Sequence, residues 1–430
     1  MQTKQAYSIQ DGRVLLGNRE LLELTKECET PFFLYNVDHI RTRARYLREA
    51  MSNHLGIPTS IHYAIKANTN PAILHALKSE GLAVDVVSGG EISCALANSF
   101  HTSDVLFSGV AKTVREIRQA LLLGVKQINV ESLGELARIE ELAKLHAADL
   151  PSDTDGKKTV SIGLRLNPNV CPETHPYITT GLRENKFGME EDAIQEAVER
   201  LKKTDSPLRL RGLSLHIGSQ LLDLDALNEA LEIGMRVQQE ASLALGYGLD
   251  RFDAGGGIGI RYETIEEKLE YEIMDQYASL LAKHLKPAIA KGSLKELLLE
   301  PGRWLVARSG LLVTEVQYTK STQHKSFVIV DGGMNLLIRP ALYEAEHRIA
   351  PLASLANSAE QTVDIVGPIC ESADFLGRDR RLPEIKQGDR LAVFDAGAYG
   401  RSMSSNYNQH GWPHEYIYEN ETLSRRDSTP

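Results

Sequence analysis

From about residue 60 to residue 300 the chain alternates between short apolar runs and longer amphipathic ones. Ile61, Tyr63 and Ile65 alternate with residues facing the other way, the period-two pattern of a half-buried strand. Ala83–Val87, Val105–Phe107 and Gln127–Val130 repeat the apolar run, each followed by a polar turn and a predicted helix. Those helices open with Ser88-Gly-Gly-Glu91, Thr113-Val-Arg-Glu116 and Ser132-Leu-Gly-Glu135. This is the S/T-x-x-E capping box, in which hydroxyl and carboxylate satisfy the first free amides. Ser88 and Glu91 therefore read first as helix caps. Val160–Leu166, Leu208–Ile217, Arg251–Ala254 and Leu294–Glu300 predict further strands, and Glu190–Lys203, Leu224–Leu245 and Glu266–Leu285 predict helices. Strand ends fall at Lys66, Val87, Phe107, Val130, Leu166, His216, Ala254 and Glu300. Eight such units predict an α/β fold, a (β/α)8 TIM-type barrel, with its chemistry at the C-terminal strand ends. A doubly wound sheet is the alternative.

The texture differs on either side. Ser8–Gly17 places two apolar stretches around Asp11-Gly12, a hairpin signal. Phe32–Tyr35 leads into a charged helical segment, Asp38–Ser52. After Arg303, Leu311–Tyr318, Ser326–Val330, Val363–Val366 and Arg390–Phe394 read as short strands between glycine, proline and polar turns. That pattern predicts a β-sandwich or small β-barrel. The chain thus divides into a barrel over residues 33–304 and a C-terminal β-domain of 305–430 that also takes in the N-terminal hairpin, 1–32.

Composition narrows the function classes. Hydrophobic residues make up 42% and charged residues 25%, ordinary for a globular enzyme. The net charge of −10 offers no basic patch, so no nucleic-acid partner is expected. Cys28, Cys94, Cys171 and Cys370 are widely spaced with no CxxC pair, which argues against a zinc site or disulfide framework and suggests a reducing compartment. The N-terminus lacks a signal-peptide pattern, and no segment approaches the roughly 18 apolar residues that span a bilayer. A cytoplasmic protein with no membrane partner and no metal is expected.

Four strand-end features carry chemistry. Lys66, followed by Ala67-Asn68-Thr69-Asn70, would be held rigidly at the barrel mouth, where desolvation favours the neutral amine that attacks a carbonyl. Leu215-His216-Ile-Gly-Ser-Gln220 places an imidazole with Gly218 and Ser219 behind it. Asp253-Ala-Gly-Gly-Gly-Ile-Gly259 is a glycine cluster that lets backbone amides crowd an anion. It is no Walker A loop, lacking the Lys-Ser/Thr, and the G-x-G-x-x-G pattern breaks at Ile260. Glu300-Pro-Gly-Arg303 adds an acid, a glycine and an arginine. Each alone also reads as structure: a snorkelling lysine, a core histidine, a tight turn. Together, a Schiff-base lysine, an anion cradle and a fixed acid are what pyridoxal 5'-phosphate requires. The lysine holds the aldehyde, the glycines the phosphate, and the acid keeps the pyridine nitrogen protonated.

YAIKAN, HIGSQ, GGGIG, EPGR, Cys370-Glu371-Ser-x-Asp374 and Gly397-Ala-Tyr399-Gly400 resemble, in order and over residues 30–408, the diaminopimelate decarboxylases. That family belongs to the alanine-racemase-like pyridoxal-phosphate enzymes, with a barrel plus a β-domain. The resemblance implies that Lys66 carries the cofactor, His216 stacks on its ring and Glu300 pairs with its pyridine nitrogen. It implies that Ser219, the amides of Gly256 and Gly257, and Gly302-Arg303 surround the phosphate, with Tyr399 nearby. It implies a homodimer with shared sites, so that Cys370 and Glu371 serve the other subunit, Cys370 as proton donor. Arg339 and Tyr343, with Arg303, would clamp the distal carboxylate, and Glu371 the distal ammonium. An arginine fork suits a carboxylate and has little use for an uncharged tail; otherwise Arg339 is a surface salt bridge of small value. The implied activity is decarboxylation of meso-2,6-diaminopimelate to L-lysine and CO2, the last step of lysine biosynthesis. The rivals are decarboxylases of this fold acting on ornithine, arginine, carboxynorspermidine or a modified amino acid, and a non-catalytic pyridoxal-phosphate-binding protein. Ornithine lacks a distal carboxylate for Arg339, a racemase would place an arginine where Glu300 stands, and a bare binding protein has no need of Cys370 and Tyr399.

Overall fold

The computed structural model describes residues 5–152, 156–170, 186–202, 206–353 and 359–428; Cys171 and the ends of a few predicted segments lie outside them. The N-terminal segment forms a three-stranded antiparallel sheet of its own, β1 (Ser8–Gln10), β2 (Arg13–Leu16) and β3 (Arg19–Glu20). Asp11 and Gly12 take positive φ, 49° and 74°, as a tight hairpin turn requires. Val14 and Leu16 pack with Phe32, Leu34, Leu311 and Val313, so the hairpin joins the β-domain through side chains rather than strand pairing. Strand β4 (Phe32–Asn36) is buried throughout and leads into helix Val37–Leu55. That helix is capped by Asn36, whose side-chain oxygen accepts from the His39 N–H at 3.1 Å, and stops at Gly56 in the left-handed region.

Eight parallel strands then close a barrel: β5 (Thr59–Ala64), β6 (Ala83–Val86), β7 (Val105–Phe107), β8 (Gln127–Val130), β9 (Val160–Leu166), β10 (Leu208–Leu215), β11 (Arg251–Asp253) and β12 (Glu296–Leu299). Strand β12 pairs back onto β5, Leu297 opposite Thr59 and Leu299 opposite Ile61, which excludes the doubly wound alternative. Val84, Val86, Val105, Phe107, Ile128 and Val130 are fully buried, as strands covered on both faces must be. The capping serines and threonine accept from the third amide of their helices at 3.2–3.3 Å, as read. Of these three, only Thr113 and Glu116 complete the reciprocal box; Glu91 takes the Val87 N–H at 2.7 Å and Glu135 the buried Lys112 ammonium at 2.7 Å.

The remaining strands, β13 (Gly310–Ser321), β14 (Ser326–Val330), β15 (Ile349–Pro351), β16 (Glu360–Val366), β17 (Phe375–Pro383), β18 (Arg390–Val393), β19 (His414–Glu419) and β20 (Thr422–Arg425), join β4 in one sheet. Its order is β17-β16-β14-β13-β4-β19-β20, with β18 and β15 branching from β13. A buried ionic cluster lies where barrel and sheet meet. Arg43 donates to Glu267 at 2.6 Å and Glu270 at 2.9 Å, and Arg308 bridges Glu270 and Asp395.

Candidate active site

Lys66 sits on a single 3-10 turn, Ile65–Ala67, directly after β5, so its side chain leaves the barrel at the C-terminal mouth. Its Nζ lies 3.0 Å from Asp85 Oδ2, and Asp85 is fully buried in β6. Burial lowers the lysine pKa, but the adjacent Asp85 carboxylate outweighs it and the value stands above the ordinary one. The expectation that desolvation leaves the amine neutral is therefore corrected: unreacted Lys66 is a cation.

One pocket opens above it. The turn after β10 contributes His216 and Ser219, that after β11 Gly257, and that after β12 Glu300, Gly302 and Arg303. Arg339, Tyr343 and Tyr399 enter from the β-domain. The turns meet backbone to backbone. A Cβ on Gly256 would stand 2.0 Å from the Glu300 carbonyl oxygen, and one on Gly257, at φ 107°, would stand 2.3 Å from that of Gly218. The glycines are required by close approach, which leaves main-chain groups as the pocket wall.

His216 Nδ1 accepts from the Gly256 N–H at 3.3 Å. Burial, then the charges of Arg165 and Lys66, hold its pKa well below normal, so the ring is neutral. Glu300 is buried and accepts from Ser108 Oγ at 2.9 Å and Asn129 Nδ2 at 3.4 Å. Burial, then the neighbouring Asp253 and Asp85, raise its pKa well above the ordinary carboxylate value. Asn129 also donates to Asp253 at 2.8 Å, tying the two acids together.

Arg303 donates to the Tyr262 hydroxyl at 2.7 Å and to Ser219 Oγ at 3.0 Å, and its buried Nε has no partner among the described residues. Arg339 is buried, its guanidinium 4.5 Å from the Tyr262 ring centre. Neither arginine forms a salt bridge among the described residues. Tyr399, at φ 59°, donates its N–H to the Ala67 carbonyl at 2.9 Å and lays its ring 4.9 Å from the Arg303 guanidinium.

The single chain does not bring Cys370 or Glu371 into this pocket. Both are exposed; the Cys370 N–H donates to Asn408 at 3.2 Å, and Glu371 accepts from the Tyr407 hydroxyl at 2.7 Å. Sequence reasoning missed Asp85, Ser108, Asn129, Tyr262 and His347. The first three stand in or directly after apolar strands, Ala-Val-Asp-Val, Val-Leu-Phe-Ser and Gln-Ile-Asn-Val, where a polar side chain on a two-sided buried strand was the available signal.

The residues present fit pyridoxal phosphate. An amine, a flat neutral ring and a buried acid of raised pKa line the pocket, and a glycine wall with Ser219 and a partly unsatisfied arginine suits a phosphate.

Residues 37–307 match a family model described as the pyridoxal-dependent decarboxylase, pyridoxal binding domain. The diaminopimelate decarboxylase of Helicobacter pylori is 42% identical over 386 residues, 90% of this chain and 89% of that protein. The Aquifex aeolicus diaminopimelate decarboxylase is 38% identical over 411 residues, 95% and 91% of the two chains. The crystal structure of the M. jannaschii diaminopimelate decarboxylase in complex with L-lysine matches with a TM-score of 0.86 at 33% identity, covering 99% of this chain and 95% of that one.

Proposed function

The chain belongs to the diaminopimelate decarboxylases, and from that premise we infer how its pocket takes meso-2,6-diaminopimelate to L-lysine and CO2 with pyridoxal 5'-phosphate. The observation that carries the reading is the pair of buried guanidiniums, Arg303 and Arg339, which share a pocket with Lys66 and have no carboxylate partner among the described residues. Buried cations without a counter-ion favour an anionic ligand.

When bound, pyridoxal phosphate supplies an electron-poor ring that accepts the electron pair released as CO2 leaves. Lys66 Nζ is the attachment point, and the neutral imidazole of His216 offers a flat face for the ring. Glu300 would pair with the ring nitrogen and keep a proton on it, which would keep the ring electron-poor. Ser219, the Gly256 and Gly257 amides, Gly302 and Arg303 hold the phosphate, with Tyr399 beside them. Arg339 and Tyr343, with Arg303, receive the distal carboxylate, and the planar fork of Arg339 selects for it. Cys370 and Glu371 lie exposed outside the chain's own pocket, and we place them at the site of a second copy in a homodimer. There the Cys370 thiol gives a proton to the α-carbon and Glu371 takes the distal ammonium. We keep the division into a cofactor-binding barrel and a β-domain, expected at 33–304 and at 1–32 with 305–430, but move the first boundary to 37, because β4 pairs with β13 and β19 in the β-domain sheet. No helix among the described residues is long and apolar enough to cross a membrane, and we place the enzyme in the cytoplasm.

The substrate assignment is tested by comparing meso-diaminopimelate with ornithine in the wild type and in Arg339→Ala. The wild type should strongly prefer diaminopimelate, and the variant should lose about ten-fold or more of that preference, chiefly through KM. Equal use of ornithine by the wild type, or an unchanged preference in the variant, would contradict the clamp.

A further inference from the structure

Arg339 is buried, yet it is held by two neutral side chains, His347 and Tyr262. One guanidinium nitrogen lies 2.8 Å from His347 Nε2. A guanidinium can only donate, so Nε2 must present its lone pair. The other ring nitrogen, Nδ1, lies 2.7 Å from the Phe394 carbonyl oxygen, which can only accept. Nδ1 therefore carries the hydrogen. Both neighbours specify the same tautomer, and a proton on Nε2 would set two donors against each other. Burial and the adjacent Arg339 charge act in the same sense, holding the imidazole pKa well below its ordinary value.

Tyr262 completes the arrangement. Its ring meets His347 edge-on, centroids 5.0 Å apart at 69°, and offers its face to Arg339. Its hydroxyl oxygen accepts from Arg303 at 2.7 Å. One phenol thus contacts both arginines, by a polar bond at one end and by its π face on the other.

We propose that His347 is a positioning residue which, as the neutral Nδ1–H imidazole, fixes the Arg339 guanidinium for the substrate's distal carboxylate, with Tyr262 bracing Arg339 and Arg303 together. This rests on the reading of Arg339 as the carboxylate clamp. A positioning histidine is set apart from a merely structural one by ligand dependence. Its loss should weaken only ligands that carry the carboxylate.

L-Lysine and cadaverine both present an amine to the cofactor, and only lysine has a carboxylate, so the two are titrated into holoenzyme and followed by the absorbance of the bound cofactor. His347→Phe should weaken L-lysine about ten-fold or more and cadaverine by less than about two-fold, while His347→Gln, which keeps an acceptor, stays within about three-fold of wild type. Equal weakening of both ligands, or undiminished lysine binding, in His347→Phe would overturn the proposal. Arg339→Gln is run alongside: undiminished lysine binding there would overturn the clamp itself. Should His347→Phe fail to fold, nitrogen NMR of the wild-type histidines decides. The proposal requires an unprotonated Nε2 at neutral pH for the resonance missing from His347→Gln, and a protonated Nε2 would sink it.

Discussion

At the scale of single residues, Lys66 and Asp85 set the terms on which the cofactor can be attached. Asp85 lies 3.0 Å from Nζ, and the amine pKa stands above its ordinary value despite burial. Only the neutral amine attacks an aldehyde, and below the pKa its fraction rises about ten-fold per pH unit. Loading of the cofactor-free protein with pyridoxal phosphate should therefore speed up as pH rises through the neutral range. Asp85→Asn removes the stabilising charge, lowers the lysine pKa and should load faster at pH 7. Stopped-flow absorbance reads both effects, and a slower variant would contradict the account. Lys66, His216, Glu300 and Arg303 were legible because each is a chemically unusual ending to an apolar run. Asp85 was not, because one acid inside Ala-Val-Asp-Val reads as simple alternation. Tyr262 and His347 were not legible because their importance lies in what they touch across the fold.

Among elements, the helix Val37–Leu55 depends on Arg43, which is fully buried and donates to Glu267, Glu270 and the Trp304 carbonyl. Its guanidinium lies 4.0 Å from the Trp304 ring centre. Burial raises the Glu267 pKa, but His39 and Arg43 outweigh it and hold it down to about 2. A depressed carboxyl stabilises the fold above its unfolded pKa, and this contribution fades as pH falls toward 2. Arg43→Ala takes one cationic partner from each of two buried acids, leaving Glu267 to His39 and Glu270 to Arg308, and should cost about 3 kcal/mol in urea or thermal unfolding, with a smaller loss in acid than at neutral pH. A loss below about 1 kcal/mol would show the cluster to be dispensable. The barrel strands were readable to within two residues because turns and capping boxes mark each end. Strand β17 was missed: its Gly377 and the run Arg378-Asp-Arg-Arg381 read as loop, yet an edge strand tolerates such charge. Strand β19 was missed as well; it lies parallel to β4 on one side and antiparallel to β20 on the other, and those two neighbours specify its place.

For the whole molecule, the barrel brings the cofactor groups together and the β-domain adds Arg339, Tyr343 and Tyr399 to the same pocket. The closed barrel followed from counting eight strand–helix units, whereas the nine-stranded sheet could not be counted in the same way, because its pairing runs from β4 to β19 across most of the chain. Cys370 and Glu371 lie outside the pocket of their own chain, which is why the mechanism proposed above calls on a second copy. The measurement that bears most directly on the account is CO2 release and product identity from meso-diaminopimelate with pyridoxal phosphate supplied. The account predicts one L-lysine per CO2, and no turnover in Lys66→Ala. Loaded wild-type protein that releases no CO2 from this substrate, or a Lys66→Ala variant that still makes lysine, would contradict it.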